Sequence, residues 1–302
     1  MDVQRLLILR QIARAGSIAG AARELGWTQP AVSQHLRRLE RQAGMALVVR
    51  RPRGIQLTEA GEVLLRHADA IAARLQAATE DLHALSHLHQ GSVRLAAFPS
   101  ASATLVPAAM SLLSRRHPGI DIRLRGAEPP EAIDLIGAGE IDLAVTFTHG
   151  GEPPSDHPGL VHVPVGEDAV HLVLPRGHPL ALSPDEPVDL RLLADDRWIA
   201  GCARCTANLR RTCQDAGFVP GIWHGTDDYV VTQALIARGL GIGLLPRLAL
   251  DAYQDSGVAV CTATRLRPRT LYLVHHREAE QIPAIRSAIG AIQDSWASAE
   301  AR

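Results

Sequence analysis

"GWTQPAVSQHLRRLE", Gly26 to Glu40, decides how the first sixty residues are read. Ala31, Val32, Leu36 and Leu39 recur at helical spacing, yet a proline stands near the start. Thr28 is a natural N-cap, which puts Gln29 and Pro30 in the first turn. Backbone N–H groups there have no partner, so a proline costs little. The outer face carries Gln29, Ser33, Gln34 and Arg37, with no acid before Glu40. Gln and Arg can bond base edges bidentately in a major groove, and Ser is an adaptable partner. An ordinary solvated helix face gives the same pattern, so the surroundings must decide.

Upstream, Val3, Leu6, Leu9, Ile12 and Ala13 share one helical face that ends at Gly16. Ser17 can cap a second helix, "IAGAARELG", which stops at Gly26. Downstream, "MALVVRRPRGIQLT" places two extended runs around Arg50, Arg51, Pro52, Arg53 and Gly54. Such a hairpin can touch phosphate or minor groove through its arginines. Helix, helix, recognition helix and wing make a winged helix-turn-helix. Charge agrees: residues 1–60 hold ten Arg against four acids, whereas residues 91–302 hold 19 Arg against 24 acids. A basic head on a mildly acidic body is the footprint of a nucleic-acid reader with a second task.

The stretch "AGSIAGAARELGWTQPAVSQHLRRLERQAGMALVVRRPRGIQLTEAG" resembles the N-terminal signature of the LysR-type transcriptional regulators, and the likeness extends over the whole chain. Leu9 and Ile18 stand where that family usually has Phe, a change confined to the apolar side. The resemblance implies a two-lobed effector-binding domain akin to periplasmic solute-binding proteins and a homotetramer on an imperfect inverted repeat. It makes double-stranded DNA and a small-molecule effector the partners, with RNA polymerase as a candidate third.

After Thr58, Leu64, Ala68, Ile71, Leu75, Ala78, Leu82 and Leu85 recur at alternating spacings of 4 and 3. This heptad seam suits a dimerising linker helix, with packing on the chain's own body as the alternative. His83, His87 and His89 follow without a carboxylate or cysteine to complete a metal set, so no metal is expected.

From Gly91, β-runs alternate with helices, first as "SVRLAAF", "ATLVPAAMSLLSRRHPG", "IDIRLRG", "PPEAIDLIGAGE" and "IDLAVTF". A Pro/Gly-rich stretch and a second α/β series follow. The fold class expected is α/β with an N-terminal winged helix: residues 1–58 bind DNA, 59–89 form the linker helix, and 90–302 bind the effector. Lobe I would take about 91–161 and 267–302, lobe II about 162–266. Ligands of such sheets lie at strand carboxyl ends, between lobes. The effector candidates are therefore Ser100, Ser102, Thr146, Thr148, Arg204 and Thr226. Each has a turn or cap reading as well.

No Walker loop, GxSxG elbow or HExxH occurs, so an enzyme is not expected. No apolar run reaches ~18 residues and the N-terminus carries Asp2, Arg5 and Arg10, which points to a cytoplasmic protein without a membrane partner. "GCARCTANLRRTC" leaves a choice open. Cys202, Cys205 and Cys213 are structural thiols, a zinc site short of a ligand, or a redox switch favoured by a helix N-terminus and Arg204. The redox-responsive regulator is the alternative function. Cys261 reads as core.

Overall fold

The computed structural model describes residues 2–51, 54–86, 91–150, 159–182 and 186–300. Contacts divide the chain into Met1–Leu88 with Asp134–Ile141, and His89–Ile133 with Asp142–Arg302. Segment 134–141 thus groups with the N-terminal part rather than with the 90–302 domain read from the sequence.

The first unit opens with three helices, α1 (Val3–Ala15), α2 (Ile18–Leu25) and α3 (Gln29–Ala43). Each is capped from its own sequence. Asp2 accepts from Gln4 N–H, Ser17 from Gly20 N–H and Thr28 from Ala31 N–H, and each helix stops at a glycine with φ between 63 and 72°. Their apolar faces meet in one core containing Leu9, Ile12, Val32, Leu36, Leu39 and Leu47. Burial of such side chains stabilises by about 1.5–3 kcal/mol each. Leu9 and Ile18, the two departures from the family pattern, lie in this core.

The wing is an antiparallel hairpin of β1 (Val48–Arg51) and β2 (Gly54–Leu57). It is anchored by Ile55 N–H donating to Gly16 carbonyl oxygen at 3.0 Å. Gly54 has φ +139°, and a Cβ there would sit 2.5 Å from that same oxygen, so the anchor requires glycine. Glu40, the acid that ends the recognition face, accepts from Leu47 N–H at 3.0 Å and fixes the approach to β1.

The linker is one helix, α4 (Glu59–Ser86). Its seam is not uniformly free for a partner. Ala68 is fully buried in the head's own core, and Leu64 and Ile71 pack against it. Arg10 clamps the same segment through Asp69 at 2.8 Å. The start of the apolar seam therefore packs on the chain's own head: Ala68 is spent there in full, while Leu64 and Ile71 are half-buried. Leu75 and Ala78 are exposed. The side chains of Leu82, Leu85 and His83 lie outside the described residues, as do His87 and His89.

The second unit is built on two five-stranded sheets. Its first stretch runs β3 (Gly91–Ala97), α5 (Pro99–Ala103), α6 (Leu105–Arg116), β4 (Ile120–Gly126), α7 (Pro129–Gly137, which straddles the division), β5 (Leu143–Thr148) and β6 (Leu160–Asp168). It continues with β7 (Val170–Pro175), β8 (Arg197–Ala200), α8 (Ala203–Asp215), β9 (Gly221–Gly225), α9 (Tyr229–Ala237), β10 (Ile242–Pro246) and α10 (Arg247–Ala252). It closes with β11 (Val258–Cys261), β12 (Arg269–His276) and α11 (Pro283–Glu300). The sheet orders are β4-β3-β5-β12-β6 and β11-β7-β10-β8-β9.

The lobe boundary differs from the sequence reading. β6 pairs antiparallel with β12 along Leu160–Asp168, so it belongs to the first sheet. The chain crosses at Ala169, not near residue 161, and returns between β11 and β12. The proline- and glycine-rich stretch before β6 joins two strands of one sheet. The helix read from "ATLVPAAMSLLSRRHPG" is α6, and a short helix not read from the sequence, α5, precedes it; Thr104, φ −125° and ψ −78°, separates the two.

Candidate functional site

The outer face of α3 presents Gln29, Pro30, Gln34 and Arg37 exposed and Ser33 half-buried, behind the exposed Thr28 cap. In the wing, Arg51 is exposed and its Nε donates to Gln56 Oε1 at 3.2 Å, which aligns it along the hairpin. The Arg50 side chain and Arg53 lie outside the described residues.

A second site lies between the two sheets of the second unit, a cavity of about 60 Å³. The first sheet contributes Phe98, Ser100, Glu128, Phe147 and Arg269, and the second Cys202, Cys205, Thr226, Tyr229 and Leu244. Arg269 organises the wall. It is 3% exposed, its Nε and Nη2 donate to Asp168 Oδ2 at 2.8 and 2.7 Å, and Nη2 also donates to Ser100 Oγ at 2.7 Å. The guanidinium lies 4.6 Å from the ring centroids of both Phe98 and Phe147. Burial pushes the Asp168 carboxyl up, while Arg269 and the Leu248 N–H pull it back. Asp168 ends β6, Arg269 opens β12 and Leu248 lies in the first turn of the helix after β10, so this network sits where the chain crosses between sheets.

Of the six effector candidates, Ser100 and Thr226 line the cavity. Thr226 Oγ1 accepts from Asp228 N–H at 3.2 Å, and Asp228, not Thr226, caps the helix that follows. Ser102 donates to Ala97 carbonyl oxygen at 3.0 Å and Thr146 to that of Tyr272 at 3.5 Å, so both hydroxyls serve the backbone away from the lining. Thr148 is 7% exposed with its hydroxyl unpartnered among the described residues. Arg204 is half-buried in the first turn of α8.

Sequence reasoning missed Glu128, His149, Asp168 and Arg269. Glu128 follows the end of β4, the same strand-end rule that selected Ser100, and could have been found by it. Arg269 opens an antiparallel strand, so its start lies at the carboxyl ends of its neighbours only once the pairing is known. His149 stacks edge-on to Phe147 with centroids 5.5 Å apart, and both ring nitrogens are buried without a partner among the described residues. Burial, reinforced by Arg269, Arg211 and Arg204, lowers it to about 4 and keeps it neutral.

The thiols separate into two kinds. Cys202 and Cys205 face each other with sulfurs 3.2 Å apart, whereas Cys213 and Cys261 are buried in the second sheet's apolar core. Cys213 therefore leaves the reactive set read from the sequence; burial pushes its thiol up to about 12. Among the described residues no three His, Cys, Asp or Glu side chains come together to hold a metal ion. No described helix is long and apolar enough to cross a membrane.

The family model of the LysR substrate binding domain matches residues 86–297, and that of the bacterial regulatory helix-turn-helix protein, lysR family, matches residues 3–62. The chain belongs to the LysR family. LysR regulators are DNA-binding transcriptional regulators, not enzymes, and carry an effector-binding domain. Among similar proteins, the HTH-type transcriptional regulator AlsR of Bacillus subtilis is 26% identical over 294 residues, 96% of this chain and 94% of that protein. A probable RuBisCO transcriptional regulator of Cyanophora paradoxa is 34% identical over 181 residues, 60% of this chain. The match spans 55% of that relative's length.

Full-length LysR structures share the fold. An OxyR variant from Pseudomonas aeruginosa superposes with a TM-score of 0.67 at 19% identity, covering 98% of this chain and 94% of that one. CbnR bound to its target DNA gives 0.62 at 20% identity, covering 98% and 100%.

Proposed function

We propose that this LysR regulator reads an inverted-repeat operator with α3 of two protomers and responds to a small molecule held between its two sheets. The observation that carries the reading is the acid-free face of Gln29, Ser33, Gln34 and Arg37 on a capped, rigid helix beside an arginine-bearing wing. Thr28 and Pro30 set the helix start against the phosphate backbone, and Arg50, Arg51 and Arg53 hold the wing to phosphate or minor groove. Action on the genome puts the protein in the cytoplasm.

Dimerisation would use α4 from Leu75 onward, through Ala78, Leu82 and Leu85, leaving the earlier turns to the head. Two dimers then assemble as a tetramer, and RNA polymerase is the further partner of the bound complex. The effector would meet Ser100 and Thr226 at the cavity wall, with Thr148 and Arg204 nearby; the buried Arg269 network would carry its presence to the crossing strands.

A second reading has its own support. The 3.2 Å approach of Cys202 and Cys205, at the cavity and at a helix N-terminus, favours a thiol-based response alongside or in place of a bound effector.

The test is selection of genomic fragments by the purified full-length protein, followed by footprinting. Recovered sites should share a near-palindrome whose half-sites are spaced by whole helical turns, roughly 10 bp or a multiple. Fragments with no common sequence would contradict the reading.

A further inference from the structure

Where β8 gives way to α8, two sulfurs, a carboxyl and a small cavity meet. Cys202 is the N-cap of α8 and Cys205 lies in its first turn, with the sulfurs 3.2 Å apart and both thiols free. Cys202 belongs to the second sheet's side of the cavity. From the opposite side, Glu128, in the link between β4 and α7, hydrogen-bonds to Cys202. The other carboxyl oxygen, Oε2, is buried with no hydrogen-bond partner among the described residues. A thiol that only fills space needs none of this, as Cys213 and Cys261 demonstrate in the neighbouring core.

We propose that Cys202, Cys205 and Glu128 form a peroxide-reactive centre in which Cys202 attacks, Glu128 supplies the proton and Cys205 resolves the product into a disulfide. The inference rests on the thiol-based reading above and adds to it an acid, an order of events and a class of oxidant. A cavity of about 60 Å³ has room for a few water-sized molecules, and so for hydrogen peroxide.

Protonation fits those roles. The Cys205 thiol hydrogen-bonds to Cys202 and lowers it to about 6, assisted by the N–H groups of Cys205 and Arg204 and by Glu128, against the opposing effect of burial. Cys205 is correspondingly held up as the thiol. Glu128 is raised to about 8, first by burial and then by the charge on Cys202 and by Asp227, with Arg269 opposing. Near neutral pH the site thus holds a thiolate beside a carboxylic acid.

In the first step a lone pair of Cys202 Sγ attacks one peroxide oxygen. The S–O bond forms, the O–O bond breaks, and the departing hydroxide takes the Glu128 proton and leaves as water. Cys202 becomes the sulfenic acid and Glu128 the carboxylate. In the second step Cys205 sulfur attacks Cys202 sulfur. The S–S bond forms, the S–O bond breaks, and the hydroxyl leaves with the Cys205 proton as a second water. The dithiol is oxidised by two electrons and the peroxide reduced by two. The reaction removes the thiolate to which Glu128 donates, so a link across the cavity ends as the disulfide forms.

The experiment uses reduced full-length protein and a small excess of hydrogen peroxide, read by mass spectrometry of tryptic peptides. Trypsin cuts at Arg204, between the two cysteines, so the disulfide appears as two linked peptides. Wild type should give the Cys202–Cys205 link, and Cys205→Ser should stop at a sulfenic acid on Cys202 that dimedone traps. Glu128→Gln keeps an N–H donor to the thiolate but has no proton to give. It should therefore retain iodoacetamide alkylation of Cys202 near the wild-type rate at pH 7 while its peroxide reaction slows by roughly 10²-fold. If Glu128→Gln reacts with peroxide as fast as wild type, the role of Glu128 is wrong although the dithiol stands. If wild type forms no link, or Cys213 or Cys261 oxidises first, the thiol-based reading itself fails.

Discussion

Arg269 holds three elements at once, and nothing in "RPRTLYLVHH" announces it. Its neighbours Arg265 and Arg267 look equivalent on the page, but only Arg269 enters a strand whose start is covered on both sides. Removing one member of such a buried pair costs about 3–5 kcal/mol, because the other charge is left without a partner. His149 shows a different kind of illegibility, since its environment is assembled from Phe147, Arg204, Arg211 and Arg269, residues distant in sequence. Its folded value of about 4 lies below the usual 6.5, so between those pH values the unfolded chain binds the proton and the folded chain does not. Stability contributed by neutral His149 is present above pH ~6.5 and is lost as pH falls toward 4, roughly 2 kcal/mol between pH 7 and 5. In urea denaturation followed by tryptophan fluorescence, His149→Asn should lose less stability than wild type over that interval. Equal losses would show that the imidazole is protonated in the fold.

At the scale of elements, α3 was legible because caps, proline and apolar spacing all act within fifteen residues. The helix α4 was legible as a helix but not in its use. A seam with 4–3 spacing says that one face is covered and not by what, and here Ala68 is covered by the chain's own head. Of the described seam positions, Leu75 is the first that is exposed, at 49%. Leu75→Asp should weaken self-association in sedimentation equilibrium at least tenfold without lowering the melting temperature of the head. A lowered melting temperature with unchanged association would mean that Leu75 serves the monomer.

At the scale of the whole molecule, the alternation of strands and helices predicted two α/β lobes, and two five-stranded sheets are present. What could not be read was the crossing. Strands β6 and β7 are separated by one residue, Ala169, yet they pair in different sheets. Periodicity carries no information about which neighbour a strand takes. The same gap hid the cavity, because Asp168, Arg269 and Glu128 converge only once pairing is fixed. The effector candidates taken from strand ends fared unevenly for a related reason: Ser100 and Thr226 line the cavity, while Ser102 and Thr146 are spent on backbone carbonyls.

The central claim is that the outer face of α3 reads DNA bases, and fluorescence anisotropy tests it most directly. The full-length protein would be titrated onto a labelled duplex of its selected site at several salt concentrations, as wild type and as Gln29→Ala. The account predicts a steep fall in affinity with salt, shared by both proteins. It also predicts a loss of about 1–3 kcal/mol in Gln29→Ala on the selected site, with no loss on an unrelated duplex. Equal affinity of the two proteins on the selected site, or an equal loss on both duplexes, would contradict base reading by this face.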